Sequence, residues 1–383
     1  MADHLHIVCF DVPFPPEHGG FTDLFYKIKW LHKLGVKIHL HCFTKGSAPA
    51  PEVEAMCVSA RYYKRRMYEV SLRVPYIVSS RRSDELLAEL QKDNHPVLLE
   101  GIHCTWWLMQ NKLSGRKIFV RLHNAEHIYY ANLALHEGSF LKRKYFLRES
   151  GLLRQWEQAI LSKDAKWLTV SRRDSSTFRL MQPDAEIHYL PVFTGHDAPL
   201  AHSGSGEFCL YHGNLSVNEN EAAASWLIKE VFSKLDINLM IAGKDPSAKL
   251  LKLASKFSNI HVIANPSISA MNELMGRAHI HVLPSFNETG VKLKVLNALY
   301  LGRFVLANRN AIEGTSVERL CHLAEDAAGF RNEILKLMKR EYSASDIRNR
   351  YEVLSGAYNN EMNALHLSAL IFPHYPTPSR PRS

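Results

Sequence analysis

The stretch 286-FNETGVKLKVLNALYLGRFVLAN-308 contains a polar loop, an amphipathic helical segment and a short apolar run. Lys292 and Lys294 fall in the first turn of the predicted helix. Helix N-termini carry positive partial charge and unpaired N–H groups, so lysines there disfavour the helix unless an anion binds nearby. The stretch therefore predicts a helix–strand unit with an anion site at the start of the helix.

Short apolar runs alternate with longer amphipathic segments along the whole chain, which is typical of parallel βαβ units. The predicted strands of the first half are LHIVCF, KIHLHCF, PVLLEG, KIFVRLH, KWLTVS and EIHYLP. Those of the second half are FCLYHGN, INLMIAG, IHVIA, HIHVLPS and RFVLAN. We predict an α/β chain of two Rossmann-like doubly wound domains that face a central cleft, where ligands bind beyond the carboxyl ends of the strands.

The domain boundaries follow from the polar, turn-rich stretch between the two halves. The 383-residue length suits two domains. We expect a helical run after the last strand to pack back across the domain junction, and a proline-rich basic end to be disordered. The predicted segments are an N-terminal domain (1–193), a linker (194–207), a C-terminal domain (208–345), a helical segment (346–372) and a tail (373–383).

Composition restricts the function classes. Apolar residues make up 46% of the chain and charged residues 22%, which is typical of a soluble globular protein. The chain has no apolar run long enough to span a membrane, and its start lacks a signal-peptide pattern, so we expect a cytoplasmic protein. The six cysteines lack zinc-type spacing and are expected to be reduced. A net charge of +9 favours an anionic partner, and charge alone leaves nucleotide, nucleic acid and membrane surface open.

Glycines follow several predicted strands just before a helix, where a ligand can approach the backbone closely. In the second half, three strand ends bring glycine, lysine and backbone N–H groups together, a pattern that suits a diphosphate. Walker and G-x-G-x-x-G motifs are absent from the sequence, which excludes a P-loop nucleotidase and the dinucleotide fingerprint. For Gly19 and Gly20, an ordinary turn without a ligand is the alternative to a binding site. The residues concerned are Gly19 and Gly20, then Gly213 and Asn214, Gly243 and Lys244, and Gly290.

His123, Glu126 and His127 form an H-x-x-E-H pattern. A zinc site of this kind needs both histidines on one helix, whereas His123 ends a predicted strand. We therefore expect no metal here. A polar cluster at the carboxyl end of a strand favours a ligand site, with a helix-capping histidine as the alternative.

The order and spacing of these motifs resemble the retaining, nucleotide-sugar-dependent glycosyltransferases of the GT-B architecture, family 4 (glycosyl transferases group 1). The opening stretch is similar to the family's C-terminal signature. Further similar segments are the Gly-Gly loop, RLHNAEHIYYANLA, LPVF and HGNLSVNENEAAASWL. The resemblance implies transfer of a hexose from a nucleotide-diphosphate sugar to a glycan or lipid-linked acceptor, with retention of configuration, in polysaccharide or lipopolysaccharide biosynthesis. It implies no cofactor beyond the co-substrate, no divalent metal and no nucleic-acid partner.

The resemblance also implies roles for individual residues. His123, Lys244 and Lys292 take the catalytic roles, the histidine beside the transferred sugar and the lysines beside the phosphates. The acceptor side comprises Glu100, Asn124 and Glu126. The donor-binding residues are Gly19, Gly20, Gly213, Asn214, Gly243, Glu288, Thr289, Gly290, Val291 and Asn297.

The chain departs from the family at two places. Asn297 stands where the family has a ribose-binding glutamate, and the position eight residues before it is Thr289, with Glu288 one place out of register. Asn214 and Asn220 replace an arginine and a lysine. A non-catalytic nucleotide-sugar or carbohydrate-binding relative is therefore the main alternative. Another two-Rossmann enzyme, such as an epimerase or a phosphorylase, is the third, although we identify no pyridoxal lysine site.

The segment Arg61–Arg82 mixes basic and aromatic residues. Such mixtures suit an anionic membrane, with each basic residue contributing about 1 kcal/mol. A solvated basic face is an equal alternative. The membrane interpretation places the protein on the inner face of the cytoplasmic membrane as a peripheral protein.

Overall fold

The computed structural model describes residues 3–16, 19–46, 49–69, 71–135, 137–200 and 202–376. Within them the chain forms two parallel sheets. The strands of the first are β1 (His4–Cys9), β2 (Lys37–Thr44), β3 (Ser59–Lys64), β4 (Val97–Glu100), β5 (Ile118–Leu122), β6 (Lys166–Thr169) and β7 (Ile187–Tyr189). The strands of the second are β8 (Cys209–Asn214), β9 (Leu239–Lys244), β10 (Ile260–Ala264), β11 (Ile280–Val282), β12 (Phe304–Ala307) and β13 (His322–Leu323).

Helices cover both sheets. Those of the first half are α1 (Gly19–Lys33), α2 (Pro51–Glu54), α3 (Tyr76–Ser79), α4 (Asp84–Leu90), α5 (Trp106–Met109), α6 (Glu126–Leu135), α7 (Phe140–Leu161) and α8 (Arg172–Met181). Those of the second half are α9 (Asn218–Trp226), α10 (Ala248–Ala254), α11 (Ile268–Arg277), α12 (Leu293–Leu301), α13 (Arg309–Ile312), α14 (Ala327–Leu337), α15 (Ala344–Ala357) and α16 (Asn360–Ile371).

The strand order is β3-β2-β1-β4-β5-β6-β7 in the first sheet and β10-β9-β8-β11-β12-β13 in the second. Each order reverses once, between β1 and β4 and between β8 and β11, and ligands of open α/β sheets bind at such points. The two doubly wound domains confirm the predicted fold class. The central strands are short apolar runs because helices bury both of their faces.

The end of the chain returns to the first domain, as predicted. Ala364, Leu367 and Ile371 of α16 pack in the same core as Leu24 and Leu31 of α1. The side chain of Asn360 holds the start of the linker with two hydrogen bonds. It accepts one from the Thr194 N–H at 2.9 Å and donates one to the Thr194 carbonyl at 2.9 Å.

Three features differ from the sequence predictions or extend beyond them. Strands β3 and β13 were not predicted, and β3 overlaps the start of the stretch predicted to face a membrane. The predicted tail begins too early, because Tyr375 packs beside the first core and donates a hydrogen bond to the Leu34 carbonyl at 3.2 Å. The rest of that tail, residues 377–383, lies outside the described residues. Among the helices described, none combines the length and apolar character that a bilayer span requires.

Candidate active site

A cavity of about 360 Å³ lies between the two domains, at the carboxyl ends of β1, β4 and β5. Gly19 of the first domain and Leu293 of the second approach each other at its edge. The cavity therefore brings together residues that the sequence analysis assigned to the two sides of one cleft. They are Gly19, Gly20, His123, Asn124 and Glu126 on one side and Val291 on the other.

Buried charges lie beneath the first-domain wall of the cavity. The apolar face of α1 carries Asp23 and Lys27 at i,i+4 spacing, and both are buried. The Lys27 ammonium lies 3.0 Å from Asp23 Oδ2 and 2.7 Å from Glu100 Oε1. The Arg121 guanidinium completes the network at 3.0 Å from Asp23 Oδ1. Two cations therefore balance two carboxylates, which is how a protein interior tolerates full charges.

This network fixes His123. The Nε2 atom lies 3.0 Å from Glu100 Oε2, and the imidazole is 12% exposed. Burial favours a raised pKa for Glu100, but the Lys27 charge and the hydrogen bond with His123 outweigh burial and lower this pKa. A carboxylate only accepts hydrogen bonds, so Nε2 carries the proton. Glu100 is completely buried, which corrects its predicted place on the acceptor side: it lies behind His123 and orients the ring.

The H-x-x-E-H residues do not converge. His123 contacts Glu100, whereas His127 Nδ1 bonds to the Glu157 carboxylate. Asp23, Glu100 and His123 do have metal-like spacing. The Lys27 ammonium already bridges the carboxylates of Asp23 and Glu100, so these residues form an ion-pair network.

Glu126 lines the cavity but is only 6% exposed. The Asn124 amide donates to its Oε1 at 3.2 Å. Burial raises the pKa of Glu126 to about 8; the Asn124 hydrogen bond opposes this rise, while the Glu157 and Asp174 charges add to it. Near neutral pH the carboxyl group is therefore largely protonated and can donate a hydrogen bond into the cavity.

The polar loop of the opening stretch joins the two domains. Asn287 Oδ1 accepts hydrogen bonds from the Thr289 N–H and hydroxyl, both at 3.0 Å. Gly290 has φ +68°, and its N–H donates to Asp174 Oδ2 at 3.1 Å. A Cβ atom on Gly290 would lie 2.2 Å from Asn124 Oδ1. The close approach of the domains therefore requires glycine here.

The two lysines at the start of α12 have different partners. The Lys292 ammonium donates to the Thr289 carbonyl at 2.8 Å. The Lys294 ammonium donates to Asn220 Oδ1 at 3.0 Å, and Asn220 in turn donates to the Asn214 carbonyl at 2.9 Å. Asn220 thus connects the end of β8 to the start of α12. The predicted site did not include Lys294, although its position two residues after Lys292 was a visible signal.

Burial lowers the pKa of Lys294 to about 8; the nearby carboxylate of Glu219 opposes this and the charge of Lys292 adds to it. Burial also lowers the pKa of Lys292, against the opposing charges of Glu219 and Asp174. Glu219, which the sequence analysis did not select, accepts a hydrogen bond from the Ser285 hydroxyl at 2.9 Å. The start of α12, next to the cavity-lining Val291 and Leu293, therefore holds two partly desolvated ammonium groups, an environment that an anion would stabilise.

Three predicted donor residues and the predicted catalytic Lys244 have other surroundings. Gly213 and Gly243 are register partners on β8 and β9, packed so closely that a Cβ atom on Gly243 would lie 1.9 Å from the Gly213 carbonyl oxygen. Lys244 follows them and is exposed. Asn297 hydrogen-bonds His196 of the linker.

Glu288 faces the other domain. Its Oε2 lies 3.0 Å from Arg173 Nη2, and the same guanidinium lies 3.4 Å from Glu313 Oε2. Asn132 and Asn287 add an amide contact at 3.3 Å between the domains. The domains therefore touch around the cavity, in a closed arrangement. The sequence around Arg173 carries no signal for this role.

Comparison with known proteins finds similarity to one protein family and to one relative that covers most of the chain. Residues 206–340 match the family described as Glycosyl transferases group 1. An uncharacterized 44.6 kDa protein in the cps region of Klebsiella pneumoniae is 26% identical over 384 residues, covering 93% of this chain and 96% of that protein.

Solved structures show the same fold. The α,α-trehalose-phosphate synthase (UDP-forming) from Burkholderia xenovorans, in complex with glucose-6-phosphate, has a TM-score of 0.67 at 11% identity and covers 96% of this chain and 99% of its own. The lipopolysaccharide outer core galactosyltransferase WaaB, in its apo form, has a TM-score of 0.64 at 13% identity, with coverages of 97% and 99%. The chain therefore has the GT-B fold, and the family match with these neighbours supports a glycosyl transfer function.

Proposed function

We propose that this protein transfers a sugar from a nucleotide-diphosphate donor to a saccharide or lipid-linked glycan acceptor, with retention of configuration. The observation that carries the proposal is the pairing of two features on the two domains that border the cavity. Two half-buried ammonium groups lie at the start of α12, next to the cavity-lining Val291 and Leu293, and a histidine held by a buried carboxylate lines the cavity from the first domain.

The donor diphosphate would lie at the start of α12, near the end of β8. Lys292 and Lys294 would exchange their present partners, a carbonyl and an amide oxygen, for phosphate oxygens. Negative charge grows on the diphosphate as the glycosidic bond breaks, and prearranged N–H and ammonium groups lower that barrier. An anion at this position would also raise the pKa of Lys294 and keep it charged. Because Lys292 and Lys294 would supply positive charge to the phosphates, we propose that transfer does not depend on a metal ion.

The acceptor would approach from the first domain. His123 is held in place by Glu100, so its ring can contact the transferred sugar in one orientation. We assign Glu126 and Asn124 to the acceptor side, where a protonated Glu126 would donate to a sugar hydroxyl. Retention would follow from attack on the face that the diphosphate leaves, with a phosphate oxygen taking the acceptor proton. The closed domains would exclude water and so limit hydrolysis of the donor.

A donor panel tests the proposal. Calorimetry with UDP-, GDP- and dTDP-sugars should find one nucleotide that binds, and that donor should turn over in a hydrolysis or transfer assay. Lys294→Gln should weaken binding of the nucleoside diphosphate roughly tenfold or more, because one charge-assisted hydrogen bond is lost. Lys252→Gln, on the exposed face of α10, is the matched control. Unchanged affinity in Lys294→Gln would contradict the placement of the site.

A non-catalytic sugar- or nucleotide-binding protein is the second candidate. The observation that favours it lies at and beside the family's glutamate positions: Asn297 bonds to His196, and Glu288, one place out of register, is paired with Arg173. Binding of a nucleotide sugar without turnover on any acceptor would support this candidate over the transferase.

We also propose peripheral binding to an anionic membrane, on a surface that extends beyond the predicted segment Arg61–Arg82. Within that segment, Tyr63, Arg65 and Arg81 are each less than 9% exposed, whereas Tyr68 and Leu72 are exposed by 97% and 83%. The first half of α7 also exposes Phe140 and Leu141, by 67% and 78%, beside basic side chains.

Apolar side chains that insert below the headgroups, together with lysines that attract anionic lipid, bind interfacial helices to membranes. Co-sedimentation should show binding to vesicles that contain an anionic lipid and little binding to zwitterionic vesicles. Replacing Phe140 and Leu141 with serine should reduce that binding. Equal sedimentation of this variant and the native protein would exclude the surface.

A further inference from the structure

A second cavity, of about 180 Å³, lies at the opposite end of the second sheet from the cleft. Phe304 and His322, the first residues of β12 and β13, form part of its wall. Because strands in this sheet are parallel, their first residues lie at the end remote from the donor site. The cavity is therefore separate from the active site described above.

Positive charge dominates the lining. Arg319, Arg340 and Arg350 line the cavity together with a single carboxylate, Asp346. That carboxylate is already engaged, since it accepts the Ser343 N–H at 2.9 Å and hydroxyl at 2.7 Å and also pairs with Arg340. Three guanidinium groups thus share a single carboxylate, Asp346, which already has other hydrogen-bond partners.

Arg350 carries most of the argument. It is 2% exposed, and its guanidinium bonds the carbonyl oxygens of Gly302 and Arg303 and lies 4.7 Å from the centre of the Tyr342 ring. Among the described residues, no carboxylate forms an ion pair with it. A buried cation without a counter-ion is costly, and an anion in the cavity would remove that cost.

Glu333 does not supply the missing negative charge. It faces His322 of the cavity wall at 3.7 Å and already pairs with Lys336 at 3.2 Å. Two aromatic rings of the wall, Phe304 and Tyr342, hold guanidinium groups in place: Arg340 lies over the Phe304 ring at 5.0 Å. The arginines are therefore oriented before any ligand arrives.

We propose that this cavity binds a phosphate-type oxyanion, either free phosphate or the phosphate of a small phosphomonoester. Planar guanidinium groups match the oxygens of phosphate in paired hydrogen bonds, which favours phosphate over a monovalent halide. The volume exceeds that of several water molecules and so accommodates phosphate with a small organic group.

This anion site lies beside both segments that connect the two domains, the linker and the α15–α16 segment. Tyr342 forms a two-way backbone bridge with Gly204 of the linker, at 2.8 and 3.2 Å. Arg350 belongs to α15, which leads into α16 on the first domain. An anion bound to Arg350 would therefore rigidify the second-domain anchor of both connections.

Thermal unfolding of the full chain with increasing phosphate tests the proposal, with chloride at matched ionic strength as reference. We expect a saturable rise in Tm with phosphate and none with chloride. The variant Arg319→Gln/Arg340→Gln should bind phosphate at least roughly tenfold more weakly. These two side chains are more exposed than Arg350, so the variant should fold even if Arg350→Gln does not.

The cleft also attracts anions, so Lys294→Gln serves as the control. A phosphate response that persists in Lys294→Gln and is lost in the arginine variant supports the second site. A response that is lost in Lys294→Gln and persists in the arginine variant places the ion in the cleft and overturns the proposal. The absence of any saturable response in the native chain overturns it as well. Repeating the titration with a hexose phosphate distinguishes a phosphomonoester site, where it binds more tightly, from a site for free phosphate.

Discussion

Replacing Gly290 with alanine should separate domain closure from overall stability. Two effects act at this position. The φ of +68° costs a residue with a Cβ atom about 1–2 kcal/mol. The new Cβ would also lie 2.2 Å from Asn124 Oδ1 and 2.9 Å from the His123 carbonyl oxygen. Carbon–oxygen contacts need roughly 3.5 Å, so the loop and Asn124 must separate by about 1 Å.

That separation occurs where the two walls of the active site meet. A misplacement of about 1 Å can reduce the rate roughly 100-fold, so we expect kcat/KM for the donor identified in the panel to fall 10- to 100-fold. The free energy of unfolding should fall by only about 1–2 kcal/mol, because the clash is relieved by opening the domains. Small-angle scattering should report a larger radius of gyration.

Gly35→Ala is the matched control. Its φ is +85°, but a Cβ atom there meets nothing within 4 Å. This variant should lose similar stability and keep its turnover and radius. If Gly290→Ala keeps the turnover and the radius of gyration of Gly35→Ala, the inference that this glycine permits closure is wrong.

Three further predictions concern other parts of the molecule. Arg173→Ala should open the domains, measurable as a larger radius of gyration, while costing no more than about 1 kcal/mol in unfolding free energy, because its pair with Glu288 is partly exposed. Acid should destabilise the first domain: burial lowers the pKa of His6 to about 4 and of His41 to about 3, so the unfolded chain takes up protons first. The free energy of unfolding should therefore fall by about 3–5 kcal/mol as the pH drops from about 6.5 to about 4, measured by denaturant titration. Asn360→Ala should cost about 2 kcal/mol, because both hydrogen bonds to the linker are lost.

Controls follow from neighbouring residues. Asn363 is equally buried on α16, but its amide nitrogen has no hydrogen-bond partner in the part of the chain that the structure describes, so Asn363→Ala should cost less than Asn360→Ala. The reverse order would contradict the assignment of the linker contact. For the acid prediction, the charged groups facing the pair include Asp93, Arg61 and Arg116. Stability that is flat across the stated pH window would show that both histidines titrate normally.

The fold was predictable because its central strands are local apolar runs whose period and spacing are visible in one sequence. Strand β3 (SARYYK) was not predicted because only one of its residues is fully buried, and its sequence therefore contains no apolar block. The same strand occupies the start of the segment predicted to contact a membrane, which stays a prediction. Beyond the strand, Tyr68 and Leu72 of that segment are exposed, and Phe140 and Leu141 of α7 are exposed as well.

Some residues of the candidate active site were predictable from the sequence and others were not. Gly290, Lys292 and His123 were predictable from their places next to strand ends and helix starts. The charge network was not, since Asp23 and Arg121 are separated by 98 positions and meet only through the sheet. The i,i+4 pair Asp23–Lys27 on an apolar helix face was the one local sign of it.

The return of α16 has a consequence for biosynthesis. Ala364, Leu367 and Ile371 complete a core whose other members lie mostly within the first 193 residues. Domains usually fold in order as they leave the ribosome, N-terminal first. Here the surface of α1 stays uncovered until α16 (Asn360–Ile371) has been synthesised. A nascent or truncated chain that lacks α16 would expose an apolar patch to chaperones and proteases, so the first domain completes its core only after the second domain has been made.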